Sequence, residues 1–180
     1  MQSEAGIREC LEALKAQSLS EPENPLVHYN LGVAYGLLGL KEREVAAYRL
    51  AIQFDPDYMA AHYNLGCSFL ESGLLPEAQA EFERVIQLAP QKAEGHFMLG
   101  STFGAMGSHE RLIQATMAGL EFDPDDANAC FNIGRAFNRL GRFQEAVKFL
   151  KRCLALDCEN ADAQLELEKA YRGLGNNPPT

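Results

Sequence analysis

The chain has 180 residues, of which 47% are apolar, a share that suffices for a hydrophobic core and argues against disorder. There are 25 acidic residues against 16 basic ones, and a chain this acidic is a poor candidate for nucleic-acid binding, which depends on clustered Lys and Arg. No apolar run reaches the roughly 18 residues of a membrane span, and the N-terminus lacks a secretory signal pattern. The sequence therefore predicts a cytoplasmic protein with no membrane insertion, whose 5 cysteines are reduced thiols.

A five-residue motif recurs along the chain at a fixed interval. HYNLG stands at His28–Gly32 and His62–Gly66, and the near-copies HFMLG and CFNIG stand at His96–Gly100 and Cys130–Gly134. Each copy starts 34 residues after the last, and further columns hold at the same interval. They are Gly39, Gly73, Gly107, Gly141 and Gly175; Pro22, Pro56, Pro90 and Pro124; and Tyr35, Phe69, Phe103, Phe137 and Tyr171. Such a period indicates a repeat architecture in which each unit is one supersecondary element.

Each unit is predicted to contain two short amphipathic helices. In the first unit, Leu31 and Tyr35 lie on one face of a first helix, and Gly39 ends that helix because a positive φ costs least at glycine. A second helix then stops before Pro56, since proline cannot continue a helix. Glycine in mid-helix costs roughly 1 kcal/mol against alanine. The Gly32 column therefore predicts that the backbone of the second helix packs closely there.

The strings LGVAY, LGCSF, LGSTF and IGRAF, with the closing prolines, resemble the tetratricopeptide repeat (TPR) family over nearly the whole chain. The resemblance implies an all-α fold, an α-solenoid of about ten helices in which antiparallel helix pairs form a right-handed superhelix. The first helices would then line a concave groove. The implied organisation is a single domain over 1–180, with an N-terminal capping helix at 3–19, repeats at 25–58, 59–92, 93–126 and 127–160, a C-terminal capping helix at 161–174 and a tail at 175–180.

The third repeat departs from the family pattern. It has Leu112, Thr116 and Gly119 where the family prefers small, aromatic and small residues, and it is rich in further glycines. Low helix propensity and weak packing predict that this repeat is the softest of the four.

The histidines of the motif, His28, His62 and His96, recur in register but do not predict a metal site. Zinc ligands gather within a few ångströms of each other, whereas packed helices lie roughly 8–10 Å apart, so these histidines form a ladder. The resemblance implies instead that they pack between units. No GxSxG, HExxH or P-loop motif occurs either. The sequence predicts no catalytic residue, no metal and no cofactor, and hence a protein that is not an enzyme.

The resemblance also implies which side chains of the first helices face the groove. They are Tyr29, Asn30, Val33 and Leu37; Tyr63, Asn64, Cys67 and Glu71; Phe97, Met98, Ser101 and Ala105; Phe131, Asn132, Arg135, Asn138 and Arg139; and Lys169 and Arg172 of the last helix. Within this set, Asn30, Asn64 and Asn132 would form a ladder able to hydrogen-bond an extended peptide backbone.

Basic residues concentrate at the C-terminal end of the implied groove. Because arginine binds carboxylates bidentately, Arg135 and Arg139 predict a site for acidic groups of the ligand. In the alternative interpretation, the basic side chains of this end pair with Glu166 and Asp162 or are simply solvated.

Together these features predict a non-catalytic scaffold that binds a partner peptide or protein segment in the concave groove. One alternative is a structural TPR protein that assembles into homo-oligomers. Another is the repeat segment of a larger enzyme, such as a glycosyltransferase of the type that uses an Asn-lined repeat groove.

Overall fold

The computed structural model describes residues 4–175, and the secondary structure within this range is entirely helical. The helices are α1 Glu4–Ser20, α2 Pro25–Leu37, α3 Lys41–Phe54, α4 Met59–Glu71, α5 Leu75–Leu88, α6 Ala93–Ala105, α7 His109–Leu120, α8 Ala127–Arg139, α9 Phe143–Leu156 and α10 Ala161–Gly173. The predicted all-α helical-repeat fold is confirmed. The first residue of the predicted capping helix at 3–19, and the predicted tail beyond residue 175, lie outside the described residues.

The chain divides into two compact units, unit 1 at 1–89 and unit 2 at 90–180. In unit 1, α2 pairs with α3 and α4 with α5, while α1 packs on α2 and α3 packs on α4. Its core includes Leu11 of α1 against Val27 and Leu31 of α2. The prediction of one domain over 1–180 stays a prediction.

Unit 2 is built in the same way. Helix α6 pairs with α7 and α8 with α9, α7 packs on α8, and α10 covers both α9 and α8. The core gathers Phe103, Ile133, Phe137 and Leu150, all nearly inaccessible to solvent. Because α6 and α10 both touch α8, the three first-type helices of unit 2 lie side by side.

The glycine column that follows each first helix adopts the predicted left-handed conformation. Gly39, Gly73, Gly107 and Gly141 have φ between 70° and 74°. After α2, the Leu40 amide donates to the Tyr35 carbonyl at 2.9 Å, the long-range bond of a Schellman turn. The sharp reversal that brings the second helix back along the first is therefore set by one glycine in each repeat.

The glycine column inside each first helix is also required, but for a reason that differs from the prediction. A Cβ at Gly66 would lie 2.8 Å from the Phe82 ring, and one at Gly134 would lie 2.6 Å from Leu150 Cγ. The neighbour that excludes a side chain is thus mainly a side chain of the second helix. The predicted backbone contact is secondary: a Cβ would lie 3.4 Å from Leu112 O at Gly100 and 3.3 Å from Leu150 N at Gly134. Glycine allows that large side chain to reach the surface of the first helix.

Each motif histidine bonds the turn that precedes its own repeat. For His62 and His96 the bonded carbonyl belongs to the proline that closes the previous repeat, so these two histidines contact the neighbouring repeat, as the resemblance implied. Nε2 of His28 lies 2.7 Å from the Pro22 carbonyl oxygen, and the imidazole stacks on Phe54 at 5.3 Å. His96 binds the Pro90 carbonyl oxygen in the same way. In the fourth repeat the position is Cys130, and there Arg152 of α9 donates to the Pro124 carbonyl oxygen instead. The column therefore fixes the turn that precedes each hairpin.

Candidate functional site

The exposed side of α6, α8 and α10, here called the first-helix face of unit 2, carries the predicted basic residues. Arg135 and Arg139 lie one turn apart on α8, and both are exposed. With Asn132 and His109 they border a cavity of about 300 Å³, whose floor is Leu112.

The predicted basic cluster divides into cations that form an ion pair and cations that do not. Lys169 pairs with Glu166 at 2.7 Å, and Arg172 pairs with Glu168 at 3.3 Å. Within residues 4–175, by contrast, no carboxylate lies within ion-pair distance of Arg135 or of Arg139. Pairing, one half of the alternative interpretation, thus describes the two cations of α10. Arg135 and Arg139 are exposed and form no ion pair with the rest of the described chain, which agrees both with the other half, solvation, and with a site for acidic groups.

The Arg135 side chain is held in place by its own helix. Its Nη2 donates to Asn132 Oδ1 at 3.2 Å, and its guanidinium lies 5.1 Å from the Phe131 ring centroid. Stacking on an aromatic face limits the orientations of the guanidinium. The orientation of the Arg135 guanidinium is therefore partly fixed before a ligand binds, and the side-chain oxygen of Asn132 is occupied in doing so.

Asn138, another predicted groove residue, joins α8 to α10 instead of facing solvent. Its Nδ2 donates to both the backbone oxygen and Oε2 of Glu166, each at 2.8 Å. Burial raises the pKa of Glu166, but the hydrogen bonds from Lys169 and Asn138 and the charge of Arg139 outweigh it, so the pKa lies below its ordinary value. Glu166 is consequently ionised, and its hydrogen bonds hold the side chains of Asn138 and Lys169 in place.

The aromatic residues of the predicted groove are half-buried in their own hairpins. Tyr29 packs edge-on against Tyr58 at 5.2 Å, and Tyr63 against Phe82 at 6.0 Å. The Phe97 ring lies against Gly119 of α7 so closely that a Cβ there would overlap it. Each of these rings keeps part of its surface accessible, so an apolar contact with a ligand is confined to the exposed edge.

The predicted asparagine ladder is partly occupied by internal hydrogen bonds. Asn64 Nδ2 donates to the Tyr29 hydroxyl at 3.2 Å, which ties α4 to α2 in unit 1. Asn132 accepts a hydrogen bond from Arg135, and in the third repeat this position of the column holds Met98. Asn30 borders a separate opening of about 210 Å³ between α1 and α2, together with Val33. The side-chain amides of Asn30, Asn64 and Asn132 therefore differ in how many of their hydrogen-bonding groups are already used within the protein.

A polar opening on unit 1 was not predicted from the sequence. The exposed side of α2 and α4, here called the first-helix face of unit 1, holds a cavity of about 260 Å³ with Glu44 of α3 among its lining residues. Cys67 and Glu71, both predicted groove residues, border it as well. The missed signal was a column in which Glu44 aligns with Ala78, Leu112 and Ala146, so that a carboxylate stands where the other repeats are apolar.

Two neutral groups complete this cavity. Burial raises the pKa of the Cys67 thiol to about 11, with the Glu71 and Glu44 charges acting in the same direction. Burial also raises the pKa of Tyr48, again with help from Glu44. Both groups therefore stay protonated at neutral pH, and the charge of the cavity is set by its carboxylates and by Lys41.

Two kinds of site are not found in the part of the chain that the structure describes. No group of three or more His, Cys, Asp or Glu side chains among residues 4–175 is placed to hold a metal ion. None of the helices α1–α10 is both long enough and apolar enough to cross a membrane.

Helix pairs repeated every 34 residues, with cavities and polar groups gathered on the first-helix faces, define a helical-repeat protein. The chain belongs to the tetratricopeptide repeat family, whose models match residues 26–58, 127–160 and, in a second form, 63–111.

Solved structures with the same fold include a MamA protein that is 25% identical, with a TM-score of 0.82, covering 87% of this chain and 92% of that chain. YrrB, a TPR protein with an unusual peptide-binding site, is 20% identical with a TM-score of 0.81, covering 92% of this chain and 86% of that one. MamA 41-end from Desulfovibrio magneticus RS-1 is 22% identical with a TM-score of 0.80, covering 87% and 88%. Comparison with curated proteins gives no match.

Proposed function

We propose that this chain is a non-catalytic interaction module that binds an acidic segment of a partner protein on the first-helix face of unit 2. The observation that carries the proposal is the pair Arg135 and Arg139, two exposed cations with no carboxylate within ion-pair distance among residues 4–175, beside a cavity of about 300 Å³. Surface cations usually find a partner or are solvated singly. Two on adjacent turns facing one opening favour an anionic ligand.

The chemistry of such binding follows from the groups at the opening. A guanidinium donates two parallel hydrogen bonds to a carboxylate, and charge-assisted bonds of this kind are roughly twice as strong as neutral ones. Arg135 would exchange its bond with Asn132 for one with the ligand, which frees an amide for the ligand backbone. Leu112 offers an apolar floor to the aliphatic part of the acidic side chain.

Unit 1 would bind a further stretch of a partner through its own first-helix face. The accessible edges of Tyr29 and Tyr63, the apolar Val33 and Leu37, and the Asn30 amide supply mixed apolar and hydrogen-bonding contacts. YrrB shows that a TPR protein of this fold can carry a peptide-binding site, which supports an assignment of the same kind here.

The test compares the Arg135→Glu/Arg139→Glu variant with the natural chain. The probe is a short glutamate-rich peptide carrying a fluorophore, with its glutamine counterpart as the uncharged reference. We expect the variant to lose at least about tenfold in affinity, because charge-assisted hydrogen bonds are removed and repulsion is introduced. Fluorescence anisotropy measures the affinity, and circular dichroism checks that helicity is retained.

The matched control is Lys148→Glu/Lys151→Glu on α9, which changes the net charge equally and lies on exposed residues away from the cavity. Its affinity for the peptide should stay within about twofold of the natural chain, because screening weakens distant charges. Equal losses in the two double variants, or none in either, would remove the Arg135 and Arg139 assignment. A pull-down with the natural chain and peptide sequencing would then identify the partner.

A further inference from the structure

Glu44 is a carboxylate in a place where the other repeats put alanine or leucine. Its side chain comes from α3, the second helix of its hairpin, and only 7% of the residue is exposed. Gly36 of α2 makes room for it, since a Cβ there would lie 3.1 Å from the Glu44 carboxyl carbon. Burying an ionised carboxylate is costly unless donors surround it. The donors near Glu44 therefore determine how far its charge is compensated.

The two carboxylate oxygens of Glu44 have different donors. Ser68 Oγ donates to Oε1 at 2.5 Å. Oε2 lies 2.9 Å from Lys41 Nζ, close enough to accept a hydrogen bond from one of the three ammonium N–H groups, and no other donor reaches it within the described residues. The same ammonium also donates to Glu71 Oε2 at 2.7 Å. The nearly buried Glu44 carboxylate therefore depends on one ammonium that it shares with a second carboxylate.

The cavity that Glu44 lines carries an excess of negative charge. Two carboxylates, Glu44 and Glu71, share the single ammonium of Lys41. The remaining polar lining groups are neutral and can each accept a hydrogen bond; they are Tyr48, Asn64, Cys67 and Ser68. An opening of about 260 Å³ with one uncompensated anion is suited to a cation and unsuited to an acidic or apolar group.

We propose that this cavity binds the guanidinium of an arginine side chain carried by a partner protein segment. A guanidinium presents five N–H donors in a planar fork. One donor would give Glu44 Oε2 a second charged partner beside Lys41, while others reach Glu71 and Asn64. Lys41 can remain paired with Glu71, so that two cations, Lys41 and the ligand guanidinium, then balance the two carboxylates of Glu44 and Glu71. This site is separate from the acid-binding site of unit 2 and does not depend on it.

The experiment is a titration of the full ¹⁵N-labelled chain with N-acetyl-arginine amide at millimolar concentration, followed by amide chemical shifts. N-acetyl-citrulline amide, which has nearly the same shape and no charge, is the reference. Arginine amide is expected to shift the amides of Gly36, Cys67 and Ser68 with saturation, and citrulline amide is not. Glu44→Gln should weaken the binding about tenfold, the effect of one charged hydrogen bond.

Two further variants separate recognition from folding and from net charge. Glu44→Ala introduces the residue found at Ala78 and Ala146, and it should weaken the binding at least as much. Because alanine would face Gly36 and not a larger residue, circular dichroism checks that the variant keeps its helicity. Glu42→Gln removes an exposed charge from the same helix and should leave the affinity unchanged. The Arg135→Glu/Arg139→Glu variant should also bind N-acetyl-arginine amide normally, so this site and that of unit 2 can fail independently.

Three results would overturn the proposal. One is that arginine amide fails to shift the three amides. Another is that citrulline amide shifts them equally, which would mean that charge is not recognised. The third is that Glu42→Gln weakens binding as much as Glu44→Gln does, which would reduce the effect to general attraction by an acidic protein.

Discussion

At the residue scale, the hairpins are held by pairs of side chains whose sizes compensate each other. Eight residues separate Gly36 from Glu44 and Gly104 from Leu112, and a Cβ at Gly104 would lie 2.8 Å from Leu112 Cδ1. In the other repeats the same two positions hold a larger residue and Ala78 or Ala146. A large second-helix side chain is thus accommodated by glycine on the first helix.

His62 is the residue whose protonation state should affect stability. Its Nδ1 lies 2.6 Å from Glu81 Oε2, and its Nε2 lies 2.9 Å from the Pro56 carbonyl oxygen. Both partners are acceptors, so only the doubly protonated imidazolium satisfies both. Burial lowers the pKa of His62, but the Glu81 carboxylate and the Pro56 carbonyl raise it by more, and the net pKa lies above the ordinary value.

The sign of the pH dependence follows from this raised pKa. The stabilisation by His62 is fully present below the pKa of the unfolded chain, about 6.5, and is lost as the pH rises through the higher pKa of the folded state. We therefore expect Glu81→Gln to lower the free energy of unfolding more near pH 5.5 than near pH 8.5. Urea unfolding at the two pH values measures this. Glu77→Gln, an exposed change on the same helix, is the control, and equal losses for Glu81→Gln at both pH values would contradict the assignment.

At the element scale, the helix ends were predictable from the sequence and the side-chain pairings were not. Gly39 and Pro56 stop helices through local backbone preferences, which act wherever the residue occurs in the chain. The pairing of Lys169 with Glu166, and not of Arg139, depends on which rotamers the packed helices allow. The sequence alone left both possibilities open. The same holds for Phe97, whose position predicted an outward ring and whose contact with Gly119 is tertiary.

The third hairpin shows how one missing large side chain changes an element. Thr116 stands where Tyr48, Phe82 and Leu150 fill the space over the first helix in the other repeats. Phe97 of α6 reaches Gly119 instead, so that part of the packing comes from the opposite helix. Helix α7 has 12 residues, against 14 for α3, α5 and α9. The second helix of this hairpin is thus the shortest of the four.

We expect α7 to be the least protected second helix of the chain. A threonine buries less apolar area than a large aromatic residue, and Gly119 lowers helix propensity by roughly 1 kcal/mol against alanine. Local opening should therefore need less free energy in α7 than in α9. Native-state amide exchange followed by NMR measures this helix by helix, with α9 of the same unit as the internal reference. Uniform protection of α7 and α9 would contradict the expectation.

At the scale of the whole molecule, the negative net charge repels an acidic ligand, whereas the local positive charge of Arg135 and Arg139 attracts it. The net charge of −9 attracts cations and repels anions at long range, an effect that salt screens. An acidic ligand must therefore be recognised by short-range contacts with Arg135 and Arg139, whereas a basic segment is also attracted by the chain as a whole. Binding at Glu44 should accordingly weaken with added salt more than binding at the arginines does.

Self-assembly, the alternative to ligand binding, can be assessed from the two helices that have no hairpin partner among residues 4–175. Helix α1 aligns with the second helices through Pro22, and α10 aligns with the first helices through Tyr171. A repeat could in principle be completed between copies if α10 of one molecule packed on α1 of another. In the four complete hairpins, however, the glycine column meets a large or polar side chain 16 residues later. In the mixed repeat, this contact would set Glu168 against Leu14.

Glu168 makes such end-to-end assembly unfavourable, and this gives a prediction for the intact chain. Where even a Cβ would overlap its neighbour, a glutamate side chain has no room, and its charge would be buried against leucine. We therefore expect light scattering to give a molar mass that does not change with concentration. Glu168→Gly removes the obstruction, so association that appears only in this variant would identify Glu168 as its cause. A mass that rises with concentration in the natural chain would favour the oligomeric alternative, through a surface other than the joined ends.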